Sequence, residues 1–363
     1  MPRHTRKQIP TRLPTRAVSA VDRMGLVNAG QRCGRSVTLV CDTGALLDSR
    51  CVTSSHAFGG GHEGREPLTD HERSHQSGVI VHKVGPVTSS ERADIGVIGG
   101  SGFYEFIEGA ERVAVETPFG CPSDDLVVGE VRSRRVAFVA RHGQGHRYPP
   151  HRVPYCANLW ALRSVGVRQV LSASAVGSLR SELGPGALVV PDQVVDRTWG
   201  RLHTVYDDVG TVVHVGFADP YCPRGRSVAV AAAQEAGLNV EDGGTLVVVN
   251  GPRFSSRAES RWHQQAGWTI VGMTGMPEAA IARELAMCFT TIALVTDLDA
   301  GVEGEEGVTQ EEVFRMFQRN VAGLRALLAD AISALPEAEP DATAICPCRR
   351  ALDGLTLPFA LPE

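Results

Sequence analysis

Short runs of branched apolar residues alternate with helical patterns from residue 94 to about residue 335. Several runs are continuously apolar, as in strands that are covered on both faces of a sheet. The predicted strands are Ile95–Ile98, Arg135–Ala140, Gln169–Ala173, Ala187–Val190, Thr245–Val249, Thr269–Val271 and Thr291–Val295. The predicted helices are Val153–Val165, Arg224–Ala236, Ser256–Ala266, Pro277–Met287 and Thr309–Ile332. The alternation predicts one α/β domain with a mixed, mostly parallel central sheet flanked by helices, and a site at the carboxyl ends of its strands.

The two ends of the chain differ in composition from this domain. Residues 1–93 are rich in Arg, Ser, Thr, Gly and His, and Gly59-Gly-Gly-His-Glu-Gly64 is typical of a flexible linker. Because a segment with little apolar surface to bury cannot offset the entropy of ordering, we predict a disordered extension over residues 1–93. Pro and Ala dominate after Leu335, which predicts a loose tail over residues 336–363.

Composition narrows the range of partners and cofactors. The formal net charge is -5, so bulk charge does not indicate a nucleic-acid partner. No apolar run approaches the ~20 residues of a membrane-spanning helix, and no secretory signal opens the chain. The nine cysteines are scattered, and Cys346-Pro-Cys348 has neither a second nearby pair nor the histidines of a zinc site. We therefore expect reduced thiols, a cytoplasmic protein, no membrane partner and no bound metal.

A glycine-rich loop follows the first strong strand. Gly99-Gly-Ser-Gly102 comes directly after the run that ends at Ile98. Glycines let backbone N–H groups converge on an anion, and Ser101 adds a hydroxyl donor. The spacing is neither the dinucleotide-binding G-x-G-x-x-G nor a P-loop. On this stretch alone, an oxyanion site and a plain tight turn explain the sequence equally well.

Unusual polar residues follow four of the predicted strands. They are Arg141 and His142, Ser174, Thr274, and Asp297 with Asp299; the apolar residues Ala175, Met273 and Leu298 stand next to them. Each group alone is also explained by a helix cap or a surface ion pair. Together, the hydroxyl groups and positive charge at strand ends predict a phosphate-binding site. The two carboxylates supply hydrogen-bond acceptors in the same crevice.

Eight ordered motifs span this domain. They are Ile95-Gly-Val-Ile-Gly-Gly-Ser-Gly102, Arg141-His-Gly143, Ala157-Asn-Leu-Trp-Ala161, Ala175-Val-Gly-Ser178, Val190-Pro-Asp-Gln193 with Asp196-Arg-Thr198, Gly251-Pro-Arg-Phe-Ser-Ser-Arg-Ala-Glu-Ser260, Met273-Thr-Gly-Met-Pro-Glu278 and Ala293-Leu-Val-Thr-Asp-Leu-Asp299. The set resembles the trimeric purine nucleoside phosphorylase family, and within it the enzymes that act on S-methyl-5'-thioadenosine. The resemblance implies that family's fold and a homotrimer, and it leaves out the first 93 residues.

The resemblance also implies a role for each residue of the site. Phosphate would be held by Ser101, Arg141, His142, Ser174, Ala175 and Thr274. The nucleoside would be contacted by Met273 under the ribose, by Phe254 and Ser255 at the base, and by Asp297, Leu298 and Asp299 at the purine edge. Val313 would line the pocket of the 5' substituent, and His214 would reach that substituent from a neighbouring subunit.

The implied reaction is the phosphorolysis of S-methyl-5'-thioadenosine to adenine and 5-methylthioribose 1-phosphate. Inorganic phosphate is the co-substrate, and no cofactor is expected. Asp297 is the predicted general acid at N7 of the leaving purine, with a pKa that burial raises. Its carboxylate accepts from the N6–H of adenine but would oppose the O6 of a 6-oxopurine, a difference of ~1–3 kcal/mol. Asp297 therefore favours a 6-aminopurine.

Two alternatives stay open at this point. Gln310, near the pocket of the 5' substituent, leaves room for a 5'-hydroxyl group, so adenosine and 6-oxopurine nucleosides are alternative substrates. Methylthioinosine is another, because Asp297 favours a 6-aminopurine without excluding a 6-oxopurine. A glycine-rich α/β domain can also bind a nucleoside or phosphate without turning it over. Asp297 argues against that second alternative, because a binding module needs no acid at the leaving group.

Overall fold

Strands and helices alternate along the computed structural model, which describes residues 80–82, 88–100, 107–208, 210–302, 307–337 and 346–362. The strands are β1 (Ile80–His82), β2 (Ile95–Gly99), β3 (Glu108–Ala114), β4 (Leu126–Val131), β5 (Arg134–Ala140), β6 (Gln169–Ser178), β7 (Leu188–Val190), β8 (Gln193–Arg197), β9 (Val240–Asp242), β10 (Thr245–Val249), β11 (Ile270–Gly272) and β12 (Cys288–Leu298). The helices are α1 (Tyr155–Ser164), α2 (Pro223–Glu235), α3 (Arg257–Gln265), α4 (Gly275–Glu284) and α5 (Gln310–Ala334).

These strands form one mixed sheet. Along its main path the order is β1-β3-β4-β5-β2-β6-β11-β10-β8, and β12 branches from β6 to carry β7 and β9. Most pairings are parallel, and the antiparallel ones join β3 to β4, β4 to β5, β6 to β11 and β7 to β12. The predicted fold class, a mostly parallel central sheet flanked by helices, is confirmed.

Helices cover both faces of the sheet. On one face, α1 and α4 pack Leu159, Leu162 and Ile281 into a cluster with the strands. On the other face, α2 and α5 bury residues such as Ala229 and Leu328. This double cover explains why the central strands are continuously apolar in sequence.

Two central strands run further than the sequence predicts. We expected strands to end at Ala173 and Val295, but β6 continues to Ser178 and β12 to Leu298. The two strands stay paired with each other to their ends, with a bulge at Thr296. Because this pairing satisfies the backbone, the polar residues expected just after the strands lie within them.

The boundaries of the domain also differ from the sequence-based expectation. Most of the expected extension lies outside the described residues, but β1 pairs with β3, and Glu91 is buried in a 3-10 turn. At the other end, residues 346–362 are packed rather than loose. Phe359 contacts the rings of Trp160 and Tyr206 at centroid distances of 5.7 Å and 5.3 Å. The apolar residues of this Pro- and Ala-rich segment thus pack on the domain, a contact that composition alone does not predict.

No helix in the described ranges combines the length and the hydropathy that crossing a bilayer requires.

Candidate active site

A cleft opens where strand β6 changes neighbours along one edge. β2 pairs with the first part of β6 as far as Ser172, and β11 pairs with its last part from Gly177 onward. β2 and β11 run in opposite directions relative to β6, so their carboxyl ends approach each other across residues 173–176. Ala175 is exposed there, although its neighbours in β6 are buried. The fork therefore provides an open space at the carboxyl ends of β2, β5 and β11.

Two hydroxyl side chains of the predicted phosphate site stand at this fork. Ser174 and Thr274 are only 7% and 8% exposed. The Ser174 hydroxyl has no hydrogen-bond partner among the described residues, and the Thr274 hydroxyl does not cap helix α4, which begins after it. An unsatisfied buried polar group costs about 1–3 kcal/mol. The Ser174 hydroxyl is therefore well placed to donate a hydrogen bond to an acceptor atom of a bound ligand. Ser101, expected beside them, lies outside the described residues.

Arg141 is engaged more fully than a free phosphate-binding cation would be. Its Nε and Nη2 donate to the two carboxylate oxygens of Glu278 at 2.5 Å and 3.1 Å. Nη1 donates to Ala173 O at 2.9 Å, and Nη2 donates to Ser172 Oγ at 2.6 Å. Glu278 neutralises much of the positive charge that we expected here. The pair links β5, β6 and α4. Its contacts use four of the five N–H donors of Arg141, so one N–H of Nη1 is left for a ligand.

His142 does not supply the expected positive charge either. Burial and, to a lesser extent, the Arg141 guanidinium together lower the pKa of His142 to about 3. Nδ1 donates to Tyr148 O at 2.8 Å, so Nε2 of the neutral ring is an acceptor. The ring stacks on His146 at a centroid distance of 4.1 Å. The neutral His142 ring can thus accept a hydrogen bond from a protonated phosphate oxygen, whereas it cannot act as a cation at neutral pH.

Asp297 and Asp299 flank Gly177 at the end of β12. A Cβ on Gly177 would lie 3.0 Å from Asp297 Oδ1 and 3.4 Å from Asp299 Cβ. Asp297 is half-buried and accepts a hydrogen bond from Thr296 Oγ1 at 2.8 Å. Burial and, to a lesser extent, the nearby charge of Asp299 together raise the pKa of Asp297 to about 6. Asp297 therefore carries a proton in part of the molecules near neutral pH, which is what a general acid requires.

The loops after β10 and β11 touch each other. Gly251 has φ of +62°, and a Cβ there would lie 2.6 Å from Met273 Sδ, so the absence of a side chain lets the two loops touch. Phe254 and Ser255 are half-buried in the same β10 loop. The predicted ribose-contacting residue, Met273, thus adjoins the loop that carries the predicted base-contacting residues.

Arg201 is a structural part of the site that sequence reasoning missed. It is 8% exposed, and its Nη2 donates to Asn250 O at 2.8 Å and to Met273 O at 2.9 Å. Its Nη1 donates to Met276 O at 2.6 Å and to Tyr155 Oη at 3.1 Å. This buried guanidinium holds both loops in place through their carbonyl groups. No motif marks it in the sequence, because backbone carbonyls leave no trace there.

Helix α5 borders the cleft from the side of the glycine-rich loop. A Cβ on Gly100 would lie 3.9 Å from the Phe317 ring. Val313 is half-buried and stands four residues earlier, on the same side of α5. Leu298 is half-buried at the end of β12, and His214 is exposed in a segment without regular secondary structure. The structure thus brings Val313 near the cleft rim, whereas His214 is available to a neighbouring molecule.

Comparison with known proteins identifies the family of this chain. The profile of the Phosphorylase superfamily matches residues 94–333. The chain belongs to the phosphorylase superfamily. The resemblance found in the sequence motifs is thereby confirmed, and the matched range contains every residue assigned to the cleft.

Individual relatives of this phosphorylase cover about three quarters of the chain. A purine nucleoside phosphorylase from Streptomyces coelicolor is 58% identical over 75% of this chain and 98% of its own length. An S-methyl-5'-thioadenosine phosphorylase from Mycolicibacterium smegmatis is 53% identical over 74% of this chain and 99% of its own length. A solved methylthioadenosine phosphorylase from an antarctic soil metagenomic library is 40% identical, with a TM-score of 0.68 over 72% of this chain and 92% of that chain.

Proposed function

We propose that this phosphorylase catalyses the phosphorolysis of S-methyl-5'-thioadenosine to adenine and 5-methylthioribose 1-phosphate. The observation that carries the proposal is Asp297, a half-buried carboxyl group with a pKa of about 6 at the edge of the cleft. Two mycobacterial relatives named S-methyl-5'-thioadenosine phosphorylase, 53% and 49% identical to this chain, support the substrate.

Two opposite charges develop when the glycosidic bond breaks. Positive charge grows on C1' of the sugar, and the bound phosphate stabilises it from the opposite face. Ser174, Ala175 and Thr274 would line the phosphate site with Ser101 and the remaining N–H of Arg141. His142 Nε2 would accept a hydrogen bond from a protonated phosphate oxygen. Negative charge grows on the purine, and proton donation from Asp297 to N7 relieves it.

The choice of purine rests on the same carboxyl group. When it is ionised, Asp297 accepts a hydrogen bond from the N6–H of adenine. The O6 of a 6-oxopurine is itself an acceptor, so it would place its lone pairs against those of the carboxylate. Such an unpaired contact costs ~1–3 kcal/mol, or one to two decades in kcat/KM. Asp299, 4% exposed with Oδ2 lacking a partner among the described residues, would complete the recognition of the purine edge together with Phe254, Ser255 and Leu298.

A purine nucleoside phosphorylase with a 5'-hydroxyl substrate is the second candidate. The Streptomyces coelicolor relative of that name is 58% identical to this chain, and Gln310 opens helix α5 with a polar side chain. Val313, one turn further along, favours the apolar methylthio group instead. The two candidates share the chemistry at C1' and N7 and differ only in the contacts of the 5' substituent with residues such as Met273 and Val313.

We also propose that the protein acts as a homotrimer in which His214 reaches the 5' substituent of a neighbouring subunit. Large apolar side chains are exposed close to this residue in sequence: Trp199 is 74% exposed and Val212 is 72% exposed. Burial of these two side chains between subunits would remove apolar surface from water, which supports the proposal. Sedimentation or light scattering gives the subunit number, and His214→Ala should raise KM for the nucleoside while leaving KM for phosphate unchanged.

One assay tests the reaction. Purified protein is incubated with S-methyl-5'-thioadenosine, with and without phosphate, and adenine is measured. Release that requires phosphate is expected; release without phosphate would identify a hydrolase, and binding without release would identify a binding module. Parallel kcat/KM values for adenosine, inosine and methylthioinosine then rank the substrates. A higher kcat/KM for a 5'-hydroxyl nucleoside than for its methylthio counterpart would favour the second candidate.

A further inference from the structure

Four cysteines that are far apart in sequence meet at one point of the fold. Cys222, Cys288, Cys346 and Cys348 are all buried, with exposed fractions of 2%, 6%, 4% and 3%. Their sulfur atoms all lie within 4.8 Å of one another. The sequence predicted no metal because Cys346 and Cys348 lack a second nearby pair, but the fold supplies that pair from residues more than fifty positions upstream. We call these four residues the cysteine cluster.

Each sulfur is held by a rigid part of the backbone. Cys222 caps helix α2, its N–H donates to Phe289 O at 2.8 Å, and the Gly225 N–H points at its sulfur from 3.5 Å. Cys288 begins β12, with its N–H donating to Arg168 O at 2.9 Å. Cys346 and Cys348 lie just before and inside a 3-10 turn. The sulfur positions are therefore fixed by secondary structure, before any ligand is bound.

The spacing of the sulfurs fits a metal better than a disulfide. Zn–S bonds of about 2.3 Å place the four sulfurs of a tetrahedral site about 3.8 Å apart. The Cys222 and Cys346 sulfurs are 3.6 Å apart, whereas a disulfide requires about 2.05 Å. Four soft sulfur ligands in tetrahedral arrangement select Zn²⁺ among the common divalent ions.

Arginine side chains outnumber carboxylates beside the cluster. Arg283 Nη2 lies 3.9 Å from Cys348 Sγ, and Arg224 and Arg349 line the small cavity next to the sulfurs together with Glu337. A zinc ion with four thiolates has a net charge of −2, which is costly to bury without compensation. The nearby guanidinium groups and the Gly225 N–H supply that compensation.

We propose that Cys222, Cys288, Cys346 and Cys348 bind one Zn²⁺ as a closed, structural tetrathiolate site. Binding replaces up to four thiol protons with the metal, and the released protons pass to solvent. With all four positions taken by sulfur, the ion has no open site for a substrate. The cluster is also remote from the cleft, because Cys288 and Asp297 stand at opposite ends of β12, roughly 30 Å apart at about 3.3 Å per residue.

The proposed ion attaches the C-terminal segment to the domain. Beyond the cysteine cluster, that segment returns across α1, where Phe359 packs on Trp160 and Arg163 Nε donates to Pro362 O at 3.1 Å. Residues 338–345, between helix α5 and the cluster, lie outside the described residues. Two of the four sulfurs belong to the segment and two belong to the domain, so the metal crosslinks them in the way a disulfide would.

Metal content of the full-length protein tests this proposal. The protein is purified under reducing conditions without chelators, and zinc is measured by mass spectrometry. We expect one zinc per chain, its loss in Cys348→Ser, and its retention in Cys156→Ser, a buried thiol outside the cluster. Replacing zinc with Co²⁺ in the unmutated protein should give the visible spectrum of a tetrahedral tetrathiolate site, which does not depend on whether a variant folds.

Three further readings accompany the metal analysis. Zinc removal and Cys348→Ser should each lower Tm by several degrees and make the C-terminal segment sensitive to protease, while nucleoside turnover at low temperature stays within twofold of the intact protein. Reduced protein that takes up neither Zn²⁺ nor Co²⁺ would overturn the proposal. Zinc that persists in Cys348→Ser would also overturn it. So would the finding of a disulfide within the cluster, if the protein then bound no metal after the disulfide had been reduced.

Discussion

The two ends of strand β12 differ in the side chains that they carry. At the first end, Cys288 is fixed by a backbone hydrogen bond and three neighbouring sulfurs. At the far end, Asp297 is half-buried with a raised pKa, and the Asp299 Oδ2 and Ser174 Oγ atoms have no partner among the described residues. Thr291 Oγ1, in the first half of β12, also lacks a partner among the described residues, so the distinction rests on the two carboxyl groups and the raised pKa of Asp297. We propose structural support at the Cys288 end and chemistry at the Asp297 end.

Asp297→Asn should have the largest effect on the chemical end. The amide cannot deliver a proton to N7, so kcat/KM for adenine nucleosides should fall by about 10²- to 10⁴-fold. Because Asn donates to O6, the ratio of 6-oxopurine to adenine nucleoside turnover should rise. Steady-state kinetics on matched nucleosides measure both changes, and circular dichroism checks that the fold is intact.

A surface carboxylate provides the matched control for that variant. Asp330 pairs with Arg132 at 2.8 Å and is exposed, so Asp330→Asn should leave kcat/KM unchanged. Full adenine-nucleoside activity in Asp297→Asn would remove Asp297 from the mechanism and end the contrast between the two ends.

Glu278→Gln should have the next largest effect, on stability. It leaves the buried Arg141 cation without an anionic partner, and breaking such a pair costs about 3–5 kcal/mol. Denaturant unfolding measures the loss. If phosphate binds beside Arg141, added phosphate should raise the Tm of Glu278→Gln more than that of the unmutated protein, because the anion replaces the lost charge.

Glu284 is a second buried carboxylate whose described partners are neutral. It accepts from Thr204 Oγ1 and from the Val205 N–H, both at 2.8 Å. Glu284→Gln should therefore cost less than Glu278→Gln and respond to phosphate no more than the unmutated protein. Equal phosphate responses in both variants would show that Arg141 is structural only.

The pH dependence of stability should change by a smaller amount. Burial raises the pKa of Asp297 from 3.8 to about 6. Between these values the folded state binds more protons than the unfolded state, so the free energy of unfolding falls as pH rises. In Asp297→Asn this contribution disappears, and the variant should gain about 2 kcal/mol relative to the unmutated protein between pH 4 and pH 7, after discounting for partial exposure. If the free energies of unfolding of Asp297→Asn and the unmutated protein differed by the same amount at every pH in this range, Asp297 would have its ordinary pKa.

Sequence reasoning recovered those parts of the molecule that local patterns determine. The strands around Ile95 and Thr291 are buried on both faces, so their continuous apolar runs identify them. The polar residues at Ser174, Thr274 and Asp297 stood out because they interrupt such runs. Family motifs extended this reading to the whole domain, and the match over residues 94–333 confirms the family.

Contacts between distant residues could not be predicted in this way. Arg141 and Glu278 are 137 positions apart. Arg201 donates to backbone carbonyl groups, which every residue has, so the sequence does not mark these contacts. The cysteine cluster joins Cys222 to Cys348 through the fold alone. His142 looked like a cation because its ordinary pKa is near neutrality, whereas burial decides its charge. Tertiary contact and desolvation, which a sequence pattern does not contain, explain each of these differences.

Two glycines that lie against opposite ends of β12 allow a matched test of the contrast. A Cβ on Gly177 would lie 3.0 Å from Asp297 Oδ1 and 3.2 Å from Val271 Cγ1. Contacts this short require a small shift, and the half-buried carboxyl group can move more easily than the packed strand. We expect Gly177→Ala to displace Asp297 and lower kcat/KM about tenfold, with little change in Tm, since a small misplacement of a catalytic group costs rate rather than stability.

Gly225→Ala should do the reverse. The added Cβ would overlap with Thr290 Oγ1. Thr290 is 2% exposed and lies near the Cys288 end of β12. Overpacking there costs about 1–3 kcal/mol, and the helix preference of Ala returns up to about 1 kcal/mol. Because the overlap with a buried side chain is severe, we expect the upper end of this cost. The net loss of about 2 kcal/mol should appear as a lower Tm with kcat/KM unchanged. If both variants lost activity and stability together, the two ends of β12 would be coupled, and the division between a structural end and a chemical end would be wrong.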